Sequence, residues 1–214
     1  RILKSLVNCG YLNENPTANH QYTLGYRVLR LAELFSEEYD LKALSAAPME
    51  RLSKRLNQTV LLGIYSNDSV IYIANALPSG TLGTLVPLNT PIPPNACACG
   101  KVLLSNISQA KLSKLIDAAH FEQLTEHTIM DKERFTQELD KVYHDSFARD
   151  LEEYAPGIGS IAVPIYDYLE SNVGALCISG RISDYEDPKK HIFYLSELAR
   201  TAMEISLMMG YKDT

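Results

Sequence analysis

The sequence predicts an α+β fold in which helices cover a mainly antiparallel sheet. Two observations support this prediction. Residues 59–65, 69–77, 158–166 and 173–179 are rich in Val, Ile, Leu and Tyr, whereas the apolar residues between and after these segments recur at helical spacing. The chain has 214 residues, of which 46% are hydrophobic, so it is long enough to bury one sizeable core.

A helix and a hairpin are predicted at the start. Ile2 and Leu6 recur at helical spacing, as do Leu3 and Val7, and Gly10 is placed to end the helix. Turn-forming residues at 13–20 separate two short segments that read as a hairpin. Helix and hairpin together make half of a winged helix, or else they decorate an α/β domain. The chain starts inside the helix without Met, which indicates a fragment.

Residues 26–39 form a second predicted helix. Arg27 and Arg30 lie in its first turns and Glu37 and Glu38 in its last, an order that opposes the helix dipole by about 0.3–1 kcal/mol per charge. Either an external anion such as a DNA phosphate, or screening by solvent, explains this arrangement.

The remaining elements follow in order. A helix is predicted at 41–57 with Pro48 inside it, followed by a hairpin that turns at Ser66, Asn67 and Asp68. A third strand at 81–88 comes next. The predicted elements that follow along the chain are helices at 98–105, 108–119 and 131–145, two strands at 158–166 and 173–179, and a closing helix at 188–209.

The net charge of −6 hides an asymmetry. Residues 1–30 contain four basic side chains and one acidic one, net +3, whereas the rest of the chain contains 16 basic and 25 acidic side chains, net −9.

The four cysteines are few for the length, and no apolar run approaches the roughly 18 residues of a membrane span. We therefore expect a cytoplasmic protein without membrane contact.

The segment Asn95 to Lys101, NACACGK, marks the start of a helix whose free N–H groups attract a carboxylate or phosphate. It is not a phosphate-binding loop of the GxxxxGK[ST] type, so nucleotide hydrolysis has no support. One CxC pair lacks the second half of a zinc site, so no metal is expected. Cys99 either has a lowered thiol pKa at this helix end or serves in small-residue packing.

Two further groups are candidates. Asp150, Glu152 and Glu153 form an acidic cluster, but no nucleophile or metal motif accompanies them, so a single carboxylate that accepts hydrogen bonds from a hydroxylated ligand is the better hypothesis. Small residues share one face of each of the last two predicted strands, 158–166 and 173–179. This face either leaves room for a small polar ligand or packs tightly on a helix; its members are Ser160 and Ala162 in one strand and Val173, Ala175, Cys177 and Ser179 in the other.

Five strings together resemble the IclR family of bacterial transcription regulators: RILKSLVNCGYL at 1–12, YTLG at 22–25, CACGKVLLS at 97–105, FARDLEEYAPGIGSIAVPIYD at 147–167 and ALCISG at 175–180. The resemblance implies an N-terminal winged helix-turn-helix, a linker helix, and an effector-binding domain with a six-stranded antiparallel sheet related to GAF and PAS folds. It also implies operator DNA and a small, often organic-acid, metabolite as partners, a homodimer or homotetramer, and neither a cofactor nor catalysis.

Transferred to this chain, the resemblance assigns residues 1–25 to the C-terminal part of the winged helix-turn-helix, 26–40 to the linker helix and 41–214 to the effector domain. Arg1, Lys4, Arg27 and Arg30 become candidates for DNA phosphate contacts. The implied effector pocket comprises Ala98, Cys99, Gly100, Asp150, Ile158, Ser160, Cys177 and Ser179. The family commonly has Gly at the position of Ser146 and other small residues at 98 and 99. Two alternatives stay open: an enzyme that uses Asp150 or Cys99, and a ligand-binding module with a vestigial DNA head.

Overall fold

The structure, a computed structural model, describes residues 1–15, 21–29, 31, 40–78, 86–119 and 121–212. The chain divides into two compact units, Arg1–Ala43 and Leu44–Thr214, which are described separately.

The first unit contains the predicted helix and hairpin. Helix α1 (Ile2–Asn8) is followed by strands β1 (Leu12–Asn15) and β2 (Gln21–Leu24), which pair antiparallel. Gly10 has a φ of +76°. Its N–H donates to the carbonyl of Val7, and that of Tyr11 donates to the carbonyl of Leu6, both at 2.9 Å. These two bonds close a Schellman motif, so the predicted helix end at Gly10 is confirmed.

Part of the predicted helix at 26–39 is described. Residues 27–29 and 31 are helical, while residues 30 and 32–39, and with them Arg30, Glu37 and Glu38, lie outside the described residues.

The second unit is a layered α+β structure, and α2 crosses the boundary between the units. Its helices are α2 (Leu41–Leu56), α3 (Ala98–Ser105), α4 (Gln109–Ala118), α5 (Lys132–Asp145), α6 (Ile182–Glu186) and α7 (Pro188–Met208). Its strands are β3 (Thr59–Ser66), β4 (Ser69–Ala76), β5 (Pro91–Ile92), β6 (Ala148–Leu151), β7 (Ile158–Tyr166) and β8 (Asn172–Arg181). The strands form a six-stranded sheet in the order β5-β4-β3-β8-β7-β6, with every neighbouring pair antiparallel. The predicted fold is therefore confirmed.

Two turns show why the chain reverses where it does. Asn67 and Asp68 have φ values of +50° and +59°, the backbone that a type I′ hairpin requires, so the predicted turn is confirmed. Ser146 caps α5 with a φ of +59°. The left-handed backbone there gives a physical reason for the glycine that the family resemblance implies at this position.

Other predictions were incomplete. Of the predicted strand at 81–88, residues 81–85 lie outside the described residues and 86–88 are not in a strand. The two-residue strand β5 and the five-residue helix α6 were not predicted, because neither is long enough to show a period.

Helices pack on both faces of the sheet. Helix α3 contacts β3, β4, β6, β7 and β8, and α5 packs against α3. On the opposite face, α6 places Tyr185 over Gly159, where an added Cβ would lie 2.8 Å from the ring. The amide N–H of Tyr166 in β7 donates to Ser206 Oγ of α7 at 3.0 Å. Within the described part of the chain, no helix combines the length and apolar composition that a membrane span needs.

Candidate effector site

The start of α3 is buried and tightly built. Cys97 is its N-cap, and the amide N–H of Gly100 donates to Cys97 Sγ at 3.4 Å. A Cβ on Gly100 would lie 2.2 Å from the carbonyl oxygen of Pro94, so only glycine fits between the helix and the turn before it. Since Cys97 already accepts from Gly100, the N–H groups of Ala98 and Cys99 are the better candidates for a ligand carboxylate at this end.

The small-residue face of the sheet lies under α3. An added Cβ on Gly63 would lie 3.3 Å from Cys99 Sγ, and that thiol lies 3.9 Å from the carbonyl oxygen of Ala175. Ala162 and Cys177 pair across β7 and β8 and belong to the same buried cluster. At this end of the face the side chains pack directly between helix and sheet, as the helix-packing alternative predicts.

Further along the same face, three polar side chains form a row across three strands. The register pairs Asp150 with Ser160 and Ser160 with Ser179. Ser160 Oγ donates to Asp150 Oδ2 at 3.3 Å, and Ser179 Oγ donates to the carbonyl oxygen of Gly159 at 3.4 Å. Residues that were widely separated in sequence are therefore adjacent, and all three are buried.

Asp150 has a perturbed electrostatic environment. Burial raises its pKa to about 6, although hydrogen bonds from the amides of Glu153 and Tyr154 and the nearby charge of Lys101 act in the opposite direction. Its Oδ1 accepts from the amide N–H of Glu153 at 2.7 Å and from that of Tyr154 at 3.4 Å. Asp150 is thus a fixed hydrogen-bond acceptor whose charge changes close to neutral pH.

Lys101 lies beside the candidate site but was not among the site residues predicted from the sequence. It is 1% exposed, and its Nζ donates to Glu153 Oε1 at 2.6 Å and to the carbonyl oxygen of Arg149 at 2.8 Å. Burial raises the pKa of Glu153 to about 7, against the lowering effect of Lys101. The signal in the sequence was one lysine inside the apolar helix ACGKVLLS, but lysine is nearly always exposed, so a buried ion pair was not expected.

The three acidic residues of the predicted cluster do not share one site. Glu152 has a φ of +62° and turns away from β6; its Oε1 accepts from the amide of Gly157 at 2.6 Å, and its Oε2 lies 3.6 Å from His127 Nε2.

Burial raises the pKa of Cys97 to about 12 and that of Cys99 well above its usual value. The hypothesis of a lowered Cys99 pKa is therefore wrong. Among the described residues, no group of His, Cys, Asp or Glu side chains could hold a metal ion.

The remaining predicted site residues lie elsewhere. Ile158 begins β7, is half-buried and pairs with Arg181 at the edge of the polar row. In the first unit, Arg1, Lys4 and Arg27 are exposed, and the Arg27 side chain passes Gly10 with its Cδ 3.5 Å from an added Cβ.

Comparisons with known proteins identify the family. The family model described as "Bacterial transcriptional regulator IclR C-terminal" matches residues 35–207. The chain belongs to the IclR family of transcriptional regulators. The HTH-type transcriptional regulator KdgR of Dickeya chrysanthemi is 28% identical over 213 residues, which cover 100% of this chain and 69% of KdgR. Curated relatives carry the name of transcriptional regulator, so the enzyme alternative has no support.

Solved IclR-family structures share the fold. The C-terminal domain of Escherichia coli KdgR has a TM-score of 0.73 at 27% identity and covers 81% of this chain and 100% of that domain. The inducer-binding domain of Acinetobacter PobR, solved as a double mutant in complex with 3-hydroxybenzoic acid, has a TM-score of 0.71 at 24% identity and covers 78% of this chain and 98% of that domain.

Proposed function

We propose that this IclR-family regulator is a repressor whose affinity for operator DNA changes when a small organic-acid or sugar-acid metabolite binds residues 41–214. Residues 1–25 act as part of the DNA-binding head, residues 26–40 as the linker, and the protein works in the cytoplasm as a homodimer or homotetramer. Any such response requires the effector to bind two states of the assembly with different affinities.

The observation that supports this proposal is the polar row of Asp150, Ser160 and Ser179 on the face of the sheet that α3 covers. A hydroxyl or keto group on the ligand would hydrogen-bond to this row, and the ligand carboxylate would bind the N–H groups of Ala98 and Cys99. Cys177 and Ile158 would supply apolar contacts. The PobR domain binds a hydroxylated organic acid, which supports this ligand class.

Calorimetric titration of the full chain with 3-hydroxybenzoate and with D-gluconate tests the pocket. Asp150→Asn is expected to lose at least about tenfold in affinity for whichever probe binds, the contribution of one charged hydrogen bond. Ser179→Ala is expected to lose about twofold to tenfold, the contribution of a neutral one. Ser196→Ala, an exposed hydroxyl on α7 that bonds only to Phe193 among the described residues, is the matched control. Unchanged affinity in both site variants would remove the pocket assignment.

Fluorescence anisotropy with DNA from upstream of the protein's own gene tests the head. Lys4→Gln and Arg27→Gln should each weaken binding across all sequences and reduce the salt slope by about one. Arg1 and Arg30 are expected to behave in the same way. Binding that does not depend on salt would exclude these phosphate contacts. Light scattering on the same samples distinguishes dimer from tetramer.

A further inference from the structure

A cavity of about 280 Å³ lies away from the polar row, between α3, α4, α5 and the tip of the β3–β4 hairpin. Most of its wall is apolar and comes from residues such as Leu104, Leu115, Phe121 and Phe135. Phe135 is fully buried, and its ring packs edge-on against Phe121 with centroids 5.2 Å apart. None of the proposed effector residues lines this space.

The size and lining of the cavity suit one aromatic ring. An engineered apolar cavity of about 150 Å³ is known to bind benzene, so a cavity of about 280 Å³ holds a ring with a short substituent. The apolar part of the wall gains dispersion contacts when such a group fills the space.

The polar groups of this cavity fix the charge of its occupant. Asp68 lines it from the exposed hairpin turn, and Tyr65 Oη donates to Asp68 Oδ1 at 3.3 Å. Burial raises the pKa of Tyr65 to about 12, so its hydroxyl keeps the proton that it donates. Asp68 Oδ2 has no partner among the described residues, and no lysine or arginine lines the cavity itself. Lys132 Nζ lies 5.9 Å from the centroid of the lining Phe121 ring and donates to the carbonyl oxygen of Asp117. A cation is therefore favoured at Asp68, and a carboxylate is repelled.

We propose that this cavity is a second ligand site, separate from the proposed effector pocket, and that it takes a compact aromatic amine. The ring occupies the space between Leu115 and Phe135, and the ammonium group forms an ion pair with Asp68.

Ligand-observed NMR titration of the full chain with three probes of similar shape tests this proposal: 2-phenylethylamine, 2-phenylethanol and 3-phenylpropionate. The amine should bind up to about fivefold more tightly than the alcohol, the range of an exposed ion pair, and the carboxylate should bind most weakly. Asp68→Asn should remove the preference for the amine, while Asp145→Asn at the far end of α5 should leave it unchanged.

Filling the cavity is the second part of the test. Leu115→Trp should weaken all three probes at least about tenfold. Ala119→Phe, at the half-buried residue that follows α4, blocks the same space with less risk to folding, and thermal melting establishes that each variant is folded. The proposal is overturned if the amine does not bind at low millimolar concentration, if it binds no more tightly than the alcohol or the carboxylate, or if neither filling variant weakens binding.

Discussion

Removing the buried charge of Lys101 should destabilise the second unit in a strongly pH-dependent way. Lys101→Met leaves Glu153, with a side chain 12% exposed, and Asp150 buried without the cation that now lies 2.6 Å from Glu153. Loss of one member of a buried ion pair costs about 3–5 kcal/mol of the free energy of unfolding, because the remaining charge is uncompensated. We expect the loss to approach this size at about pH 8, where both carboxyl groups are ionised in the unmodified folded protein.

The loss should shrink as the pH falls. The folded-state pKa of Glu153 is about 7, above the unfolded value of about 4.3, so the folded state binds more protons between these values. The free energy of unfolding from this group therefore decreases as the pH rises through that window. Without Lys101, which lowers the pKa of Glu153, the folded pKa rises further and the decrease becomes larger. At about pH 5 the carboxyl groups are protonated in the folded variant, and the loss should fall below about 2 kcal/mol.

Equilibrium urea unfolding followed by far-ultraviolet circular dichroism measures these losses at both pH values. Lys141→Met is the control, because Lys141 is 71% exposed and lies 3.6 Å from Glu138, a pair expected to contribute less than about 1 kcal/mol. Adding Glu153→Gln to Lys101→Met should recover at least half of the loss at about pH 8. An equal loss at both pH values, or no recovery in the double variant, would refute the electrostatic argument.

Three further substitutions test the packing and the turns. Phe135→Ala should cost about 3–5 kcal/mol because the ring is fully buried, whereas Phe193→Ala, at a side chain 45% exposed, should cost less than about 1 kcal/mol in the same urea experiment. Gly100→Ala should lower the melting temperature by an amount equivalent to more than about 2 kcal/mol, because the new Cβ would lie 2.2 Å from the Pro94 carbonyl oxygen; an unchanged melting temperature would contradict that geometry. Asn67→Ala should cost about 1 kcal/mol at a φ of +50°, and Asn67→Gly should be nearly neutral; thermal melts showing equal effects would argue against the type I′ turn.

The long elements of the second unit could be predicted because their signals are local. Helix α5 repeats Phe135, Leu139 and Val142 on its buried side, and these three residues are buried in the structure. Strands β7 and β8 alternate small and large residues, so the face of each side chain followed from the period alone. Elements of two to five residues, such as β5 and α6, contain too few residues for a period and depend on contacts made elsewhere.

The candidate site was predictable only in part. Each of its residues belongs to a string that resembles the IclR family, so the list followed from sequence, but its spatial order did not. Asp150, Ser160 and Ser179 become neighbours through strand register, which depends on pairing across the whole sheet. The thiol pKa of Cys99 also depends on packing, because a helix N-terminus lowers a thiol pKa but full burial raises it more.

By itself, the sequence determined the fold class, the end of α1 at Gly10, the hairpin turn at Asn67 and the family, because periodicity, glycine and turn residues act on their immediate neighbours. The tertiary structure alone decided that Lys101 lies buried against Glu153 and that Glu152 turns away from them. It also decided that a largely apolar cavity lies beside Asp68. Burial and pairing are properties of segments that are distant in sequence, and they set the local dielectric that determines which charges persist.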